Sequence, residues 1–177
     1  MTDANLTQGW HDLLFGVRRS VRYHTRRRRF FDRFHTLASA LAVLFGSATV
    51  YALFRQWDPR VAAACAVGVT ATSTFDLVVG SATVARLHAD LVRRFLELEK
   101  SLVMHTQSPE RLRELTAERL TIEADEPPVL HNLNIICHNE LVRAAAHGDQ
   151  HLVPLGYPAR LLAHVFDLGS HTIRPTR

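Results

Sequence analysis

Asp76 is the residue whose chemistry most needs explaining, because it lies inside an otherwise apolar run from Val61 to Ala85. A carboxylate in such a run is costly unless it finds a partner, a proton or water. At about 100° per residue, Cys65, Gly68, Thr72, Asp76, Gly80 and Thr83 share one helical face, whereas Ala71, Phe75, Val78 and Ala82 share an apolar one. The small and polar face supports two kinds of chemistry. Gly68, Thr72 and Gly80 permit close helix packing, with hydroxyls bonding across the contact. Alternatively, several copies of Thr72 and Asp76 line a water-filled path, where a ring of carboxylates favours cations.

The element that positions Asp76 is one of a pair. Apolar runs over 34–54 and 61–85 are separated only by Arg55-Gln56-Trp57-Asp58-Pro59-Arg60. Each is long enough for a hydrocarbon core of about 30 Å, which needs about 20 helical residues. The pattern predicts an all-α membrane protein built on a two-helix transmembrane hairpin. Counted from Val61 at about 1.5 Å per residue, Asp76 lies about 22 Å along the second helix, toward its far end. The first run follows residues 1–33, which are mostly polar and basic, and shows no small-residue cleavage site, so it reads as a retained span and not a signal peptide. A buried helical hairpin in a soluble core is the competing reading, and two adjacent runs of this length are unusual in so small a domain.

Overall composition, 47% hydrophobic and 21% charged, averages these runs with a charged remainder. Residues 1–33 carry eight arginines against Asp3, Asp12 and Asp32, and Arg86, Arg93 and Arg94 follow the second run. Basic residues on both outer flanks place both termini in the cytoplasm of a bacterial inner membrane by the positive-inside rule. Tyr51 and Trp57 then fall at the outer interface, which suits amphipathic rings. The excess positive charge is juxtamembrane and does not indicate nucleic-acid binding. Arg22 and Arg26-Arg27-Arg28-Arg29 are candidates to touch anionic lipid or an anionic ligand, at about 1 kcal/mol per basic residue near a charged surface. Lys100 is the one lysine, and the preference for Arg and Ala suggests a GC-rich bacterial genome.

Two helices cannot enclose a pore, so the conducting reading of the Asp76 face requires a homo-oligomer, a tetramer or larger. The small patch Gly46-Ser47-Ala48-Thr49 in the first run favours assembly. Beyond the hairpin, Val84, Leu87, Leu91, Phe95, Leu98 and Leu102 recur at helical spacing, and no Pro or Gly intervenes between Gly80 and Leu102. The second membrane helix is therefore expected to continue into the cytosol. Ser108-Pro109-Glu110 marks a new helix start, with Leu112, Leu115 and Ile122 inward and Pro127-Pro128 closing it. A further helix is expected from about Val129 to Ala146, burying Leu130, Leu133, Ile136, Cys137, Leu141 and Ala144 and ending at Gly148. A last one starts near Pro158, with Leu161, Leu162, Val165 and Phe166 as its stripe and Gly169 as its stop, followed by a disordered tail over 169–177. Residues 86–168 thus form a small cytosolic helical region.

Arg22-Tyr23-His24-Thr25-Arg26-Arg27 ahead of a two-helix hairpin, then Ile122-Glu123-Ala124-Asp125-Glu126-Pro127-Pro128 and Cys137-His138-Asn139-Glu140, resembles the SLATT family. These are bacterial two-transmembrane effectors associated with SMODS nucleotidyltransferases and SLOG nucleotide-sensing domains. The resemblance covers roughly residues 10–150. It implies a membrane-perforating effector in antiphage conflict, which responds to a nucleotide second messenger or a nucleotide-sensing partner and disables the host cell. The chain departs from that arrangement in lacking a nucleotide-binding domain of its own, so sensing falls to the cytosolic helices or to a partner.

Enzymatic readings find little to stand on. Neither a phosphate-binding glycine loop nor a G-x-S-x-G elbow is present, and no cofactor is expected. Among the eleven histidines, His131 and His138 lie a heptad apart, and His147 and His151 straddle Gly148, so none forms a compact metal-ligand set. Cys65 and Cys137 fall in membrane and cytosol respectively and read as free thiols. Two functions stay open: an oligomeric pore or channel opened by a cytosolic cue, and a membrane-anchored interaction module whose cytosolic helices recruit a partner without conducting ions.

Overall fold

A computed structural model describes residues 2–145 and 149–164, and among them the chain is helical with no strand. The elements are α1 (Asp3–Phe54), α2 (Pro59–Val79), α3 (Ser81–Met104), α4 (Pro109–Glu123), α5 (His131–Ala144), a single 3₁₀ turn (Asp149–His151) and α6 (Tyr157–Leu162). They divide into a bundle unit, from residues 1–26 and 88–177, and a hairpin unit, residues 27–87.

The bundle forms because three helices carry apolar residues at alternating steps of three and four. Trp10, Leu13 and Val17 of α1 meet Leu91, Phe95, Leu98 and Leu102 of α3 and Leu115 and Ile122 of α4 in one core. Full burial of a large side chain such as Leu91 or Phe95 stabilises by about 1.5–3 kcal/mol relative to leaving it exposed. The start of α1, whose sequence is read as a basic lead-in, is thus a core helix. Gly9 and Gly16 of α1, a heptad apart, admit Leu112 and Arg119 of α4, also a heptad apart. A Cβ at Gly9 would lie 3.0 Å from Leu112 Cδ2, and one at Gly16 would lie 2.5 Å from Arg119 Nη1.

Several expected details are corrected. On α3 the upper part of the buried stripe is Ala85 and His88, whereas Leu87 is 41% exposed; the shift by one residue is tolerated because His88 finds a polar partner inside. α4 starts as expected, with the Ser108 hydroxyl accepting the Arg111 N–H at 3.2 Å and Pro109 in the first turn. α5 begins at His131, and Asn132 and Ile135 are buried alongside Leu133, Cys137 and Leu141, while Ala144 is exposed. α6 does not bury its leucines: Leu161 is 68% and Leu162 37% exposed, and Ala163 packs inward instead. Six residues of helix are too short to present a stripe, and this segment is tied down upstream, where the Asn139 side chain donates to the Val153 carbonyl at 2.7 Å and accepts its N–H at 2.8 Å. Ala146, His147, Gly148, Val165, Phe166 and the 169–177 tail lie outside the described residues.

The hairpin unit pairs the second half of α1 with α2. Asp58 caps α2 by accepting the Arg60 N–H at 2.9 Å, with Pro59 at the first position. Tyr51 and Trp57 meet edge to face at 5.4 Å beside the turn. Both apolar helices are long and apolar enough to cross a membrane, and only 6% of the most apolar stretch of each is buried. The expected unbroken continuation of the second helix is corrected at Gly80, which takes a left-handed φ of 63° and donates its N–H to the Asp76 carbonyl at 2.9 Å. Glycine adopts that conformation without a Cβ penalty, so α2 stops and α3 starts afresh at Ser81.

Candidate functional site

In the hairpin unit, Asp76 is held by a residue that the reading of the sequence passed over. His35 Nδ1 of α1 lies 2.7 Å from Asp76 Oδ2, with side chains 47% and 17% exposed. The antiparallel register of the two helices creates this pair, since folding the chain about Arg55–Gln56 brings 35 opposite 76. Phe34 and Phe75 confirm the level, their rings 5.7 Å apart. That register was the available signal. His35 sits at the edge of an apolar run, where a single histidine reads as a flank.

The other residues of the small, polar face divide by role. A Cβ at Gly68 would lie 3.0–3.2 Å from the Phe45 ring, so this glycine is where α1 and α2 approach. Thr72 bonds within its own helix, donating to the Gly68 carbonyl at 2.8 Å, with the Val69 carbonyl 3.1 Å away. Gly68, Thr72 and Asp76 are partly buried, Gly80 serves as the helix stop, and Thr83 is exposed and apart from them. Ala71, Phe75 and Val78, on the apolar face, are exposed.

The five arginines singled out by sequence differ in exposure and in partners. Arg26 is paired with Glu140 of α5. Arg27 lies over the Phe31 ring, 4.7 Å from its centroid. Arg22 borders a groove with Arg18 and Glu99, where Arg18 Nε donates to Glu99 at 2.7 Å. Arg28 is 3.5 Å from Asp32, and Arg28 and Arg29 are exposed. Two of the five therefore present their charge outward, while the other three are partly buried.

In the bundle unit the three short motifs quoted above converge. The Tyr23 hydroxyl accepts the Leu130 N–H at 2.9 Å, and Tyr23 packs with Leu133 and Cys137. His24, next to it, is buried: its Nε2 meets Glu126 Oε1 at 3.0 Å, and its Nδ1 meets Nδ1 of the equally buried His88 at 2.9 Å. Facing nitrogens at that distance need one donor and one acceptor, so a single proton lies between the two rings. With Glu126 ionised, His24 Nε2–H donates to it and His24 Nδ1 accepts from His88. His24 also stacks on Phe95, centroids 5.7 Å apart and planes within 11°.

Glu126, His24 and His88 thus form a hydrogen-bonded chain within a packed core, and a second proton on His24 would turn the facing Nδ1 atoms into two donors. Sequence reasoning missed it because histidine is intermediate in burial, so residue type alone does not place one inside. The signal was positional, since both fall on the buried stripes of α1 and α3. Burial pushes the nearby Cys137 thiol up to about 11, the surrounding arginines opposing this. Burial, and then Arg119, lowers the Arg19 guanidinium from its ordinary value.

In comparisons with known proteins, the chain matches no family model, no curated protein and no solved structure.

Proposed function

We propose that this chain is a membrane-inserted hairpin that assembles with further copies into a cation-favouring pore, with the bundle unit in the cytosol receiving the cue that opens it. The observation that carries the membrane part is the exposed apolar surface of α1 and α2. Core helices of a soluble domain bury such stretches, and here only 6% of each is buried. Leu44, Val67, Leu77 and Val78, all at least 65% exposed, need lipid or other copies around them. Both termini are cytoplasmic in this reading, at the bacterial inner membrane. A tetramer or larger is required, because one hairpin encloses no path. The ionisable pair of His35 and Asp76 supports a conducting role, since intramembrane ionisable groups mark ion and proton routes. The resemblance to SLATT effectors extends the proposal to a nucleotide-signalled, cell-suicide antiphage system.

The anchor reading is favoured by a specific feature. Gly68 is filled by Phe45 and the Thr72 hydroxyl bonds its own helix, which uses up part of the polar face inside a single hairpin. A protein that only tethers a partner needs nothing more. Purified protein in liposomes separates the two. The pore reading expects an oligomer in detergent, leakage of a trapped dye or ions, and altered cation selectivity for Asp76→Asn with assembly intact. A monomer without leakage under any candidate cue sinks it in favour of the anchor, and wild-type selectivity in Asp76→Asn removes Asp76 from the pore.

A further inference from the structure

The chain of Glu126, His24 and His88 limits the number of protons that the folded bundle unit can hold. Both rings are 1% exposed, and their Nδ1 atoms face each other at 2.9 Å, a separation with room for one proton. One added proton is absorbed when His88 shifts its own proton to Nε2 and offers a bare Nδ1 to a charged His24, whose Nε2–H already meets Glu126 at 3.0 Å. A second has no such place. With a proton added to each ring, two N–H donors and two positive charges stand face to face in a core that excludes water.

The surroundings do not offset that second charge. Beside His24, a cavity is lined by Arg19 and Tyr23 of α1, Arg119 and Glu123 of α4, Glu126 of the following connector and His131 of α5. The two arginines balance the two glutamates, and Glu126 is the carboxylate bonded to the His24 ring. One turn further along α1, Arg27 and Arg28 add positive charge, and the α3 residues one turn from His88, which are Val84, Ala85, Leu91 and Val92, carry none. Position gives the pair its reach. The bundle unit ends at Arg26 on α1 and resumes at His88 on α3, so both histidines lie within two residues of the points where the chain leaves it.

We infer that the His24–His88 pair is an acid-operated latch, which joins α1 to α3 while one proton lies between the rings and releases them when both rings are charged. A histidine in water becomes charged near about pH 6.5, so separated rings hold two added protons in mild acid, whereas the closed pair holds at most one. Acid therefore favours release, and neutral pH favours closure. The inference deepens the proposed cytosolic cue by naming it as a fall in cytosolic pH. It rests on that reading only for the effect on conduction, since the latch itself lies in the bundle unit.

The test follows hydrogen–deuterium exchange of the full chain in detergent micelles at about pH 7.5 and about pH 5, each rate divided by the intrinsic rate at that pH. Protection over 10–26 of α1 and 88–98 of α3 is expected to fall about tenfold or more in acid and to return on neutralisation, because each proton taken up on release shifts the opening constant about tenfold per pH unit. The α2 segment 61–79 keeps its protection; equal loss there marks general acid unfolding and overturns the latch. His88→Asn supplies the deciding comparison. Its amide presents a donor or, turned over, an acceptor to His24 in either protonation state, so this variant stays protected in acid. His105→Asn, at an exposed position, keeps the wild-type acid response. If His88→Asn is not folded at neutral pH, His24→Asn takes its place with the same expectation. Unchanged wild-type protection between the two pH values, or the wild-type acid loss in either folded variant, overturns the inference. Liposome leakage is read separately at both pH values, so acid release without leakage sinks only the pore, and leakage with unchanged protection sinks only the latch.

Discussion

Phe95→Ala tests whether the bundle is built around the N-terminal part of α1. Phe95 is fully buried in the cluster that joins Trp10, Leu13 and Val17 to α3 and α4, and it forms one wall of the His24 ring. Removing the ring forfeits about 1.5–3 kcal/mol of transfer free energy. If the roughly 100 Å³ vacated does not collapse, a cavity term of about 24 cal/mol per Å³ adds about 2.4 kcal/mol, and large aromatic truncations of this kind cost about 3–5 kcal/mol. Phe95→Leu, which keeps most of the volume, costs less than about 1.5 kcal/mol. The neighbouring Leu96 is 46% exposed, so Leu96→Ala costs about 0.5 kcal/mol or less. The assay is urea unfolding in micelles followed by Trp10 fluorescence, in a Trp57→Phe background because the chain has two tryptophans. Trp10 is 5% exposed and reports the bundle core directly. Equal destabilisation by Phe95→Ala and Leu96→Ala, or a Trp10 signal that does not follow the transition, refutes this packing of α1 against α3.

Other perturbations probe single features. Cys137, pushed up to about 11 by burial, stays protonated in the folded chain where an unfolded thiol ionises. The folded state then binds more protons between about pH 9 and 11, and stability falls across that window by about 2–3 kcal/mol. Cys137→Ala flattens the fall, and alkylation at pH 8 modifies Cys137 in the native protein far more slowly than in the unfolded one; an unchanged pH profile in the variant counts against burial as the cause. Gly80→Ala forces a Cβ into a left-handed φ of 63° and is expected to cost about 1 kcal/mol, although space is open there. Gly80→Asn, which tolerates that region better, should recover part of the loss in the same denaturation assay, and equal stability of all three would refute the conformational argument.

Much of the local structure was legible in the sequence. Ser108-Pro109 signals the start of α4, and the two apolar runs signal the hairpin, because caps and helical periods are local properties. Other elements were not. The helix expected to continue past Val79 stops at Gly80, since a glycine inside a helical pattern is compatible with either continuation or a left-handed stop. Leu87 against His88 and the exposed Leu161 were decided by neighbours that adjacent sequence does not contain.

Sequence by itself determined that this chain is helical, that two of its segments are apolar enough to need cover, and that Asp76 needs a partner. Tertiary structure decided the partners. His35 meets Asp76 because the hairpin is antiparallel, His24 meets His88 and Glu126 because distant segments close on one core, and Gly16 of α1 leaves room for the Arg119 guanidinium of α4. Periodicity fixes which side of a helix is apolar, whereas pairing depends on which helices lie together and at what level, and those depend on packing over the whole unit.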